Sequence, residues 1–421
     1  MFLGIDFGTS GARACVINAH KSILWELRVN YPDAATQTAM DWRDALYTLL
    51  GALPPTIAND LQTISIDGTS GTVLLCDERL EPIGPALLYN DSRASVEAAQ
   101  LKTIAPENNI VCSATSSLAK FLWLTRHYPH TQHFLHQADW LTALLSGQPG
   151  ISDYHNALKT GYDIEKLCWP NWILALPHAD LLPQVVSPGA AIGKIQPKVA
   201  ARFGITAKCV LYAGTTDSIA AFMASGIDTT GVGVTSLGTT LVLKQLSTVR
   251  IEAPECGIYS HRYGGLWLVG GASNAGAGVL RQYFDDARLT ELSAQIDATQ
   301  NSPLDYYPLP KAGERFPVYA PALPPRLTPR PPDDAAFLHG ILQGLARIEA
   351  TGYAKLAQLG AAPIKRVMSN GGGAHNSVWR QIRARILKLP VETCPHAEAA
   401  YGSALLGLKS MTYSPDANKT L

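Results

Sequence analysis

The sequence predicts an α/β fold in two domains, and three observations carry that reading. Apolar runs of strand length alternate with helical stretches along the whole chain, the pattern of layered α/β proteins. A length of 421 residues, at about 150 residues per domain, predicts two or three domains. The strand–turn–strand pattern of Phe2–Ile17 returns at Val232–Leu246, with Asp-Phe-Gly-Thr in the first turn and Ser-Leu-Gly-Thr in the second. This suggests an internal duplication, although two unrelated glycine-turn hairpins read equally well from that pattern alone. The polar, glycine-rich stretch Gly226–Gly231 then separates residues 1–227 from residues 228–421.

The elements follow in order. Phe2–Ile5 is a short apolar run, Asp6–Ala12 a Gly/Thr/Ser turn, and Ala14–Ile17 resumes apolar. Ser22–Val29 reads as a third strand, and Trp42–Leu53 has helical periodicity. Leu61–Ile66 runs into Asp67-Gly68-Thr69-Ser70-Gly71 and then the strand-like Thr72–Cys76. Helical stretches dominate from Ser92 to Leu145. Strands are expected at Cys209–Ala213, Gly233–Leu237 and Leu241–Leu246, and helices at Ala335–Leu359, Ala374–Leu387 and Glu398–Leu408. Nine prolines within Pro308–Pro332 predict a stiffened loop crossing the second domain. The polar end Ser410–Leu421 is expected to fray.

Composition excludes several classes. Lys plus Arg and Asp plus Glu each total 34, so no basic footprint points to nucleic acid. No apolar run reaches the ~18–20 residues of a membrane span. The start Met1-Phe2-Leu3-Gly4-Ile5-Asp6 lacks a basic leader and cleavage site. Seven scattered cysteines without a CxxC pair read as the reduced, mostly core thiols expected of a cytoplasmic protein.

Several familiar signatures fail. Gly189–Ile195 lacks P-loop spacing, Gly276-Ala-Gly278 has no third glycine, and Gly68-Thr-Ser70-Gly71 is one residue too short for a nucleophile elbow. His127, His130, His133 and His136 recur every third residue, but Pro129 interrupts a helix there. A step of three also drifts around a helix by ~60°. Solvent-facing or capping roles are therefore expected for these histidines over a metal site. What survives is a set of glycine turns at strand ends, where backbone N–H groups can face phosphate without a Cβ in the way. Asp6-Phe7-Gly8-Thr9-Ser10-Gly11-Ala12-Arg13 joins a carboxylate, two hydroxyls and a cation. That carboxylate suits a hydrated Mg²⁺, and a strand-end Asx turn is the structural alternative.

These residues resemble a known family. Asp6-x-Gly8-Thr9-x-x-x-Arg13 resembles the first phosphate motif of the actin, sugar-kinase and heat-shock ATPase superfamily. Ser236-Leu237-Gly238-Thr239-Thr240 resembles the second, and Ser369-Asn370-Gly371-Gly372-Gly373-Ala374-His375-Asn376 the adenosine motif. Lys120-Phe121-x-Trp123-Leu124-x-Arg126-His127 resembles the signature of the FGGY carbohydrate kinases, departing from it only at Thr115. Ala213–Asp217 is similar to the segment that carries that family's base, and Glu398–Ala404 to its closing glycine-alanine helix. Three segments look like the D-ribulose kinase branch known from phototrophs: Ile66–Thr72, Gln137–Leu141 and Asp153–Lys159. Xylulose kinases usually carry a Gln-Met-His-like segment in place of Gly68–Gly71.

The resemblance implies two actin-like, ribonuclease-H-like domains flanking a catalytic cleft, with ATP and Mg²⁺ as cofactors and a small sugar as substrate. It gives Asp217 the role of base, with Asp6 and Thr9 as further catalytic residues. Asp217 reads equally well as a cap of the following helix. Asp6, Ser70 and Asp217 would contact the sugar, and Asp6 would hold Mg²⁺ through water. Thr9, Arg13, Gly238 and Thr239 would bind phosphate oxygens, with Thr9 and the Gly238-Thr239 turn acting from opposite domains. Gly371, Gly372, Gly373 and Asn376 would bind adenosine. Gly276 would lie by the ribose or α-phosphate, or else pack a helix start. D-ribulose is the implied substrate, with xylulose or glycerol as rivals. An actin-like chaperone or filament ATPase, or a degenerate regulator, is the rival of another class. Monomer and homodimer both stay open.

Overall fold

The computed structural model describes residues 1–107 and 109–413. It forms two compact units: Met1–Ala224 together with the closing helix Ala399–Tyr413, and Ser225–Ala397.

The first unit is built on a six-stranded sheet. Phe2–Phe7 pairs antiparallel with Gly11–Ile17, which pairs antiparallel with Ile23–Asn30. On its other side Phe2–Phe7 runs parallel to Thr63–Gly68, and Thr63–Gly68 runs parallel to Val210–Thr216. Ala191–Lys194 closes that edge. Phe2–Phe7 and Thr63–Gly68 are almost wholly buried, as parallel strands covered on both faces must be. Helices Ala39–Gly51 and Gln137–Ser146 supply one covering layer, in which Trp42 and Trp140 meet edge to face at 6.3 Å.

The other cover is the closing helix, which the sequence places with residues 228–421. Glycines account for the difference. A Cβ on Gly4 would stand 2.0 Å from Ala400 O, and one on Gly402 would stand 1.8 Å from Ala220 O. The helix therefore lies directly on the strand Phe2–Phe7 and against the helix Asp217–Ala224, with no side chain between the backbones. It runs through Ser410–Tyr413, where the polar composition predicts fraying; residues 414–421 lie outside the described residues.

The second unit repeats the plan. Val232–Leu237, Leu241–Ser247 and Leu266–Ser273 form an antiparallel meander, with His261–Tyr263 at its edge. Arg366–Asn370 runs parallel to Val232–Leu237, and Val391–Thr393 is parallel beyond it. The two hairpins singled out in the sequence thus occupy equivalent places in two sheets. The proline-rich segment carries no helix or strand, only isolated bridges such as Tyr307 with Arg326. Within Ser92–Leu145, which reads as helical, His133–His136 is instead a strand paired to Val73–Cys76. His136 is buried: its Nδ1 lies 2.9 Å from Asp139 Oδ2 and its Nε2 lies 3.0 Å from Thr160 Oγ1. That corrects the solvent-facing role expected for it; it does stand at the N-cap position of Gln137–Ser146, although its side chain makes no cap bond.

The close helix–sheet approach is testable. Gly402→Ala should lower stability by about 1–3 kcal/mol, the usual range for overpacking, read as a lower urea midpoint. Gly265→Ala should leave the midpoint in place, because a Cβ there meets nothing within 4 Å.

Candidate active site

Three parallel strands of the first unit end at the same level. The register sets Asp6 beside Asp67, and it sets both Phe7 and Thr216 beside Gly68. Asp217 follows Thr216 directly and opens the helix Asp217–Ala224, where its Oδ1 accepts the Ser218 N–H at 2.6 Å. The structure therefore brings Asp6, Ser70 and Asp217 to one end of one sheet. It adds Asp67, which sequence reasoning missed although it lies inside a quoted segment; an acidic residue in a buried strand was its signal.

These carboxyls share one electrostatic environment. Burial pushes the Asp6 carboxyl up to about 6; a hydrogen bond with Asp67 works against the rise, and the Asp217 charge adds to it. Asp67 is raised well above the carboxylate range, first by burial and then by Asp6. Its Oδ2 accepts from Ser403 Oγ at 2.5 Å, a bond supplied by the closing helix. Among the described residues Oδ1 of Asp6 has no donor, so it is available to a water of a bound Mg²⁺. The donor set fits such an ion, which takes one or two carboxylates and keeps several waters.

The other predicted residues of this unit lie close by in sequence and register. Arg13 sits opposite Asp6 in the hairpin and forms an ion pair with Glu398. Thr9 is exposed at the hairpin turn, where its carbonyl accepts from Gln37 Nε2 at 2.9 Å. The segment Asp153–Lys159 packs behind Thr215. His155 Nδ1 lies 2.7 Å from Thr215 Oγ1, and Asn156 Nδ2 donates to Asp153 Oδ2 at 2.6 Å and to Thr215 O at 3.3 Å. Burial, then the Asp139 charge, raises the Asp153 carboxyl to about 7. This network braces the strand end that carries Asp217.

In the second unit a cavity of about 690 Å³ is lined by Gly238, Thr239, Gly372, Gly373 and Asn376, together with Ser293 and Trp379. The glycines divide into two kinds. A Cβ on Gly372 would meet nothing within 4 Å and one on Gly238 only Thr240 O at 3.7 Å, so a side chain on either would fill the cavity. Gly371 and Gly373 are needed for packing instead: φ is +80° at Gly371, and a Cβ on Gly373 would stand 2.4 Å from the Trp379 ring. Of the three glycines expected at adenosine, Gly372 and Gly373 line the cavity, and only Gly372 has open space where a Cβ would stand. Gly276 also packs, since a Cβ there would stand 2.5 Å from Thr239 O, while Ala277 N–H donates to Gly238 O at 2.9 Å. Asn376 caps the helix Ser377–Leu387 through Trp379 N and donates to Ser293 Oγ at 2.9 Å.

Beneath the cavity, Glu349 accepts from Arg383 at 2.6 and 2.7 Å and from Thr235 Oγ1 at 2.6 Å, and Arg383 also donates to Ser369 Oγ at 2.8 Å. Thr235 and Ser369 are register partners. A fully buried ion pair thus ties together the two strands that lead into the Gly238 and Gly371 turns.

A meander followed by parallel strands, repeated in two units and ending each time in glycine turns, is the architecture of the actin-like ATPases. Models of the FGGY family of carbohydrate kinases match in both halves: its N-terminal domain over residues 1–224 and its C-terminal domain over residues 233–411. The chain belongs to the FGGY family of carbohydrate kinases. It is 24% identical to a xylulose kinase of Staphylococcus xylosus, over 96% of this chain and 89% of that protein. The structure of a xylulose kinase from Rhodospirillum rubrum aligns with a TM-score of 0.82 at 21% identity, covering 99% of this chain and 90% of that one. Plasmodium falciparum glycerol kinase aligns with a TM-score of 0.83 at 16% identity, covering 98% and 90%. Likeness at these identities speaks for the fold and leaves the sugar open. Among the described residues no helix is long and apolar enough to cross a membrane.

The carboxyl pair has a signature in stability. Asp6 and Asp67 titrate higher folded than unfolded. Between about pH 4 and 6 the folded state therefore holds more protons, and this pair makes stability fall as pH rises. Asp67→Asn removes one charge and leaves an oxygen to accept from Ser403. Its melting temperature, relative to wild type, should rise as pH goes from 4 to 7. A difference that stays flat across that range would show that Asp67 does not titrate higher in the folded protein.

Proposed function

We propose that this carbohydrate kinase phosphorylates the terminal hydroxyl of a pentulose and prefers D-ribulose, yielding D-ribulose 5-phosphate. The observation that carries the reading is Asp217 at the end of Val210–Thr216, next to the strand that leads into the Ser70 turn and two strands from Asp6, on whose carboxyl its charge acts. Phosphoryl transfer asks a protein for positioning and charge neutralisation more than for covalent chemistry. Asp217 accepts the proton of the attacking hydroxyl, as a carboxylate ionised near neutral pH can. Asp6 and Ser70 orient the sugar. Thr9, Arg13, Gly238 and Thr239 serve the phosphates, and Gly372 with Asn376 serves adenosine. Gly371, Gly373 and Gly276 support those turns by close packing. Mg²⁺, held through water by Asp6, would neutralise charge on the phosphate oxygens of ATP.

Preference for D-ribulose rests on the sequence of Ile66–Thr72, Gln137–Leu141 and Asp153–Lys159, and on the absence of the Gln-Met-His-like segment at Gly68–Gly71. D-xylulose is the second reading, favoured by the relatives that bear the name xylulose kinase. The two sugars differ at one hydroxyl carbon. A buried group left unpaired by the wrong epimer costs about 1–3 kcal/mol, which is roughly tenfold or more in selectivity.

Two measurements test this reading. Across D-ribulose, D-xylulose and glycerol at saturating MgATP, kcat/KM should be highest for D-ribulose by about tenfold or more. D-xylulose or glycerol equalling it would overturn the epimer and keep the kinase. Asp217→Asn should lower kcat by about 10²–10⁴-fold, the usual loss with a general base, while ADP still binds as to wild type. Near-normal turnover would remove Asp217 from the chemistry.

A further inference from the structure

The turn after the strand Thr63–Gly68 has an unusual hydrogen-bond account. Each of its four carbonyls is taken. Thr69 O accepts from Thr72 N at 3.1 Å, and Thr72 O accepts from Gln137 N at 3.0 Å. Between them, Ser70 O accepts from Lys159 Nζ at 3.2 Å and Gly71 O from Lys120 Nζ at 2.8 Å. Thr69 spends its N–H and its hydroxyl on Gln137 Oε1, both at 3.0 Å. Gly71, at φ +89°, supplies the left-handed third position that such a turn requires.

What is left over is two backbone donors and a hydroxyl that can turn its proton outward. Among the described residues the Ser70 N–H, the Gly71 N–H and the Ser70 hydroxyl have no protein partner, and Ser70 is partly exposed. Across a trans peptide the N–H points opposite to the C=O. Lysine capture of Ser70 O therefore turns the Gly71 N–H away from Lys159. Lys120 is fully buried, and a second bond, to Leu88 O at 2.6 Å, anchors it. Among the described residues Lys159 carries no other hydrogen bond, and the charge of Asp217 acts on it, so the clamp lies within electrostatic reach of the proposed base.

Two N–H donors and a hydroxyl free to donate are best matched by an atom that only accepts. A ketose carbonyl oxygen is such an atom, whereas the hydroxyl of the corresponding polyol must also place its own proton. We propose that the Thr69–Thr72 turn reads the carbonyl oxygen of the sugar, and that Lys120 and Lys159 are positioning residues that hold the turn's free donors for it. The inference rests on the pentulose kinase reading above and deepens it: the enzyme selects a ketose over the polyol of the same carbon skeleton.

The test compares D-ribulose with ribitol and D-arabitol, its two reduction products, in wild type, Lys159→Met and Lys159→Arg. Wild type should favour the ketose by about tenfold or more in kcat/KM, the worth of one well-made polar contact. Lys159→Met should raise the ketose KM and bring the ratio toward one, with the KM for MgATP moving by less than about twofold, as expected when only sugar binding is touched. Lys159→Arg should restore most of the ratio. A wild-type enzyme that phosphorylates no ketose overturns the proposed function and this inference together. An active wild type with a ketose-to-polyol ratio near one overturns the inference alone, whatever the variants do. So does a Lys159→Met enzyme that keeps the wild-type ratio.

Discussion

The structure of the first unit depends on one constraint, the parallel register of Phe2–Phe7, Thr63–Gly68 and Val210–Thr216. Side chains alternate faces along a strand, so a slip by one residue would move each apolar set to the wrong side. Burial on both faces forbids that slip. The same register sets Asp6 beside Asp67 and brings Thr216, with Asp217 behind it, to Gly68. Packing thereby decides where the acidic groups stand. The closing helix locks the arrangement from the far end of the chain, because Gly4 and Gly402 let backbone meet backbone and Ser403 then reaches Asp67.

The two units treat buried charge in opposite ways. In the second, Arg383 and Glu349 are fully buried, paired through two short bonds and joined to neutral hydroxyls. Removing either partner from such a pair leaves an uncompensated buried charge, so the network holds its two strands strictly. In the first, like carboxyls sit together and burial raises both Asp6 and Asp67. Such an arrangement opposes folding locally, and it is typical of sites that bind cations or move protons. The network of Asp153, His155 and Asn156 behind Thr215, and the lysines on Ser70 and Gly71, are the surroundings that hold this end of the sheet in place.

Much of this was legible in the residues. Short apolar runs ending in Gly-Thr turns announced both hairpins, and the repeat between Phe2–Ile17 and Val232–Leu246 proved to be the repeat of two sheets. Local motifs named Asp6, Thr9, Ser70, Asp217, Gly238 and Gly372 because glycine turns and strand-end carboxylates are local chemistry. The strands His133–His136, Arg366–Asn370 and Val391–Thr393 were not legible. They are short and owe their existence to a partner strand distant in sequence.

By itself the sequence determined the α/β class, the presence of both hairpins and the family, since these follow from periodicity and from motifs within a few residues of one another. Tertiary structure decided which glycines face a cavity and which exist to let backbones touch: Gly372 is open, while Gly373 abuts the Trp379 ring. It also decided that Asp67 joins Asp6, that Lys120 and Lys159 grip consecutive carbonyls, and that the last helix belongs to the first unit. Each depends on the distance between residues far apart in the chain, which strand register and close packing set and no local pattern records.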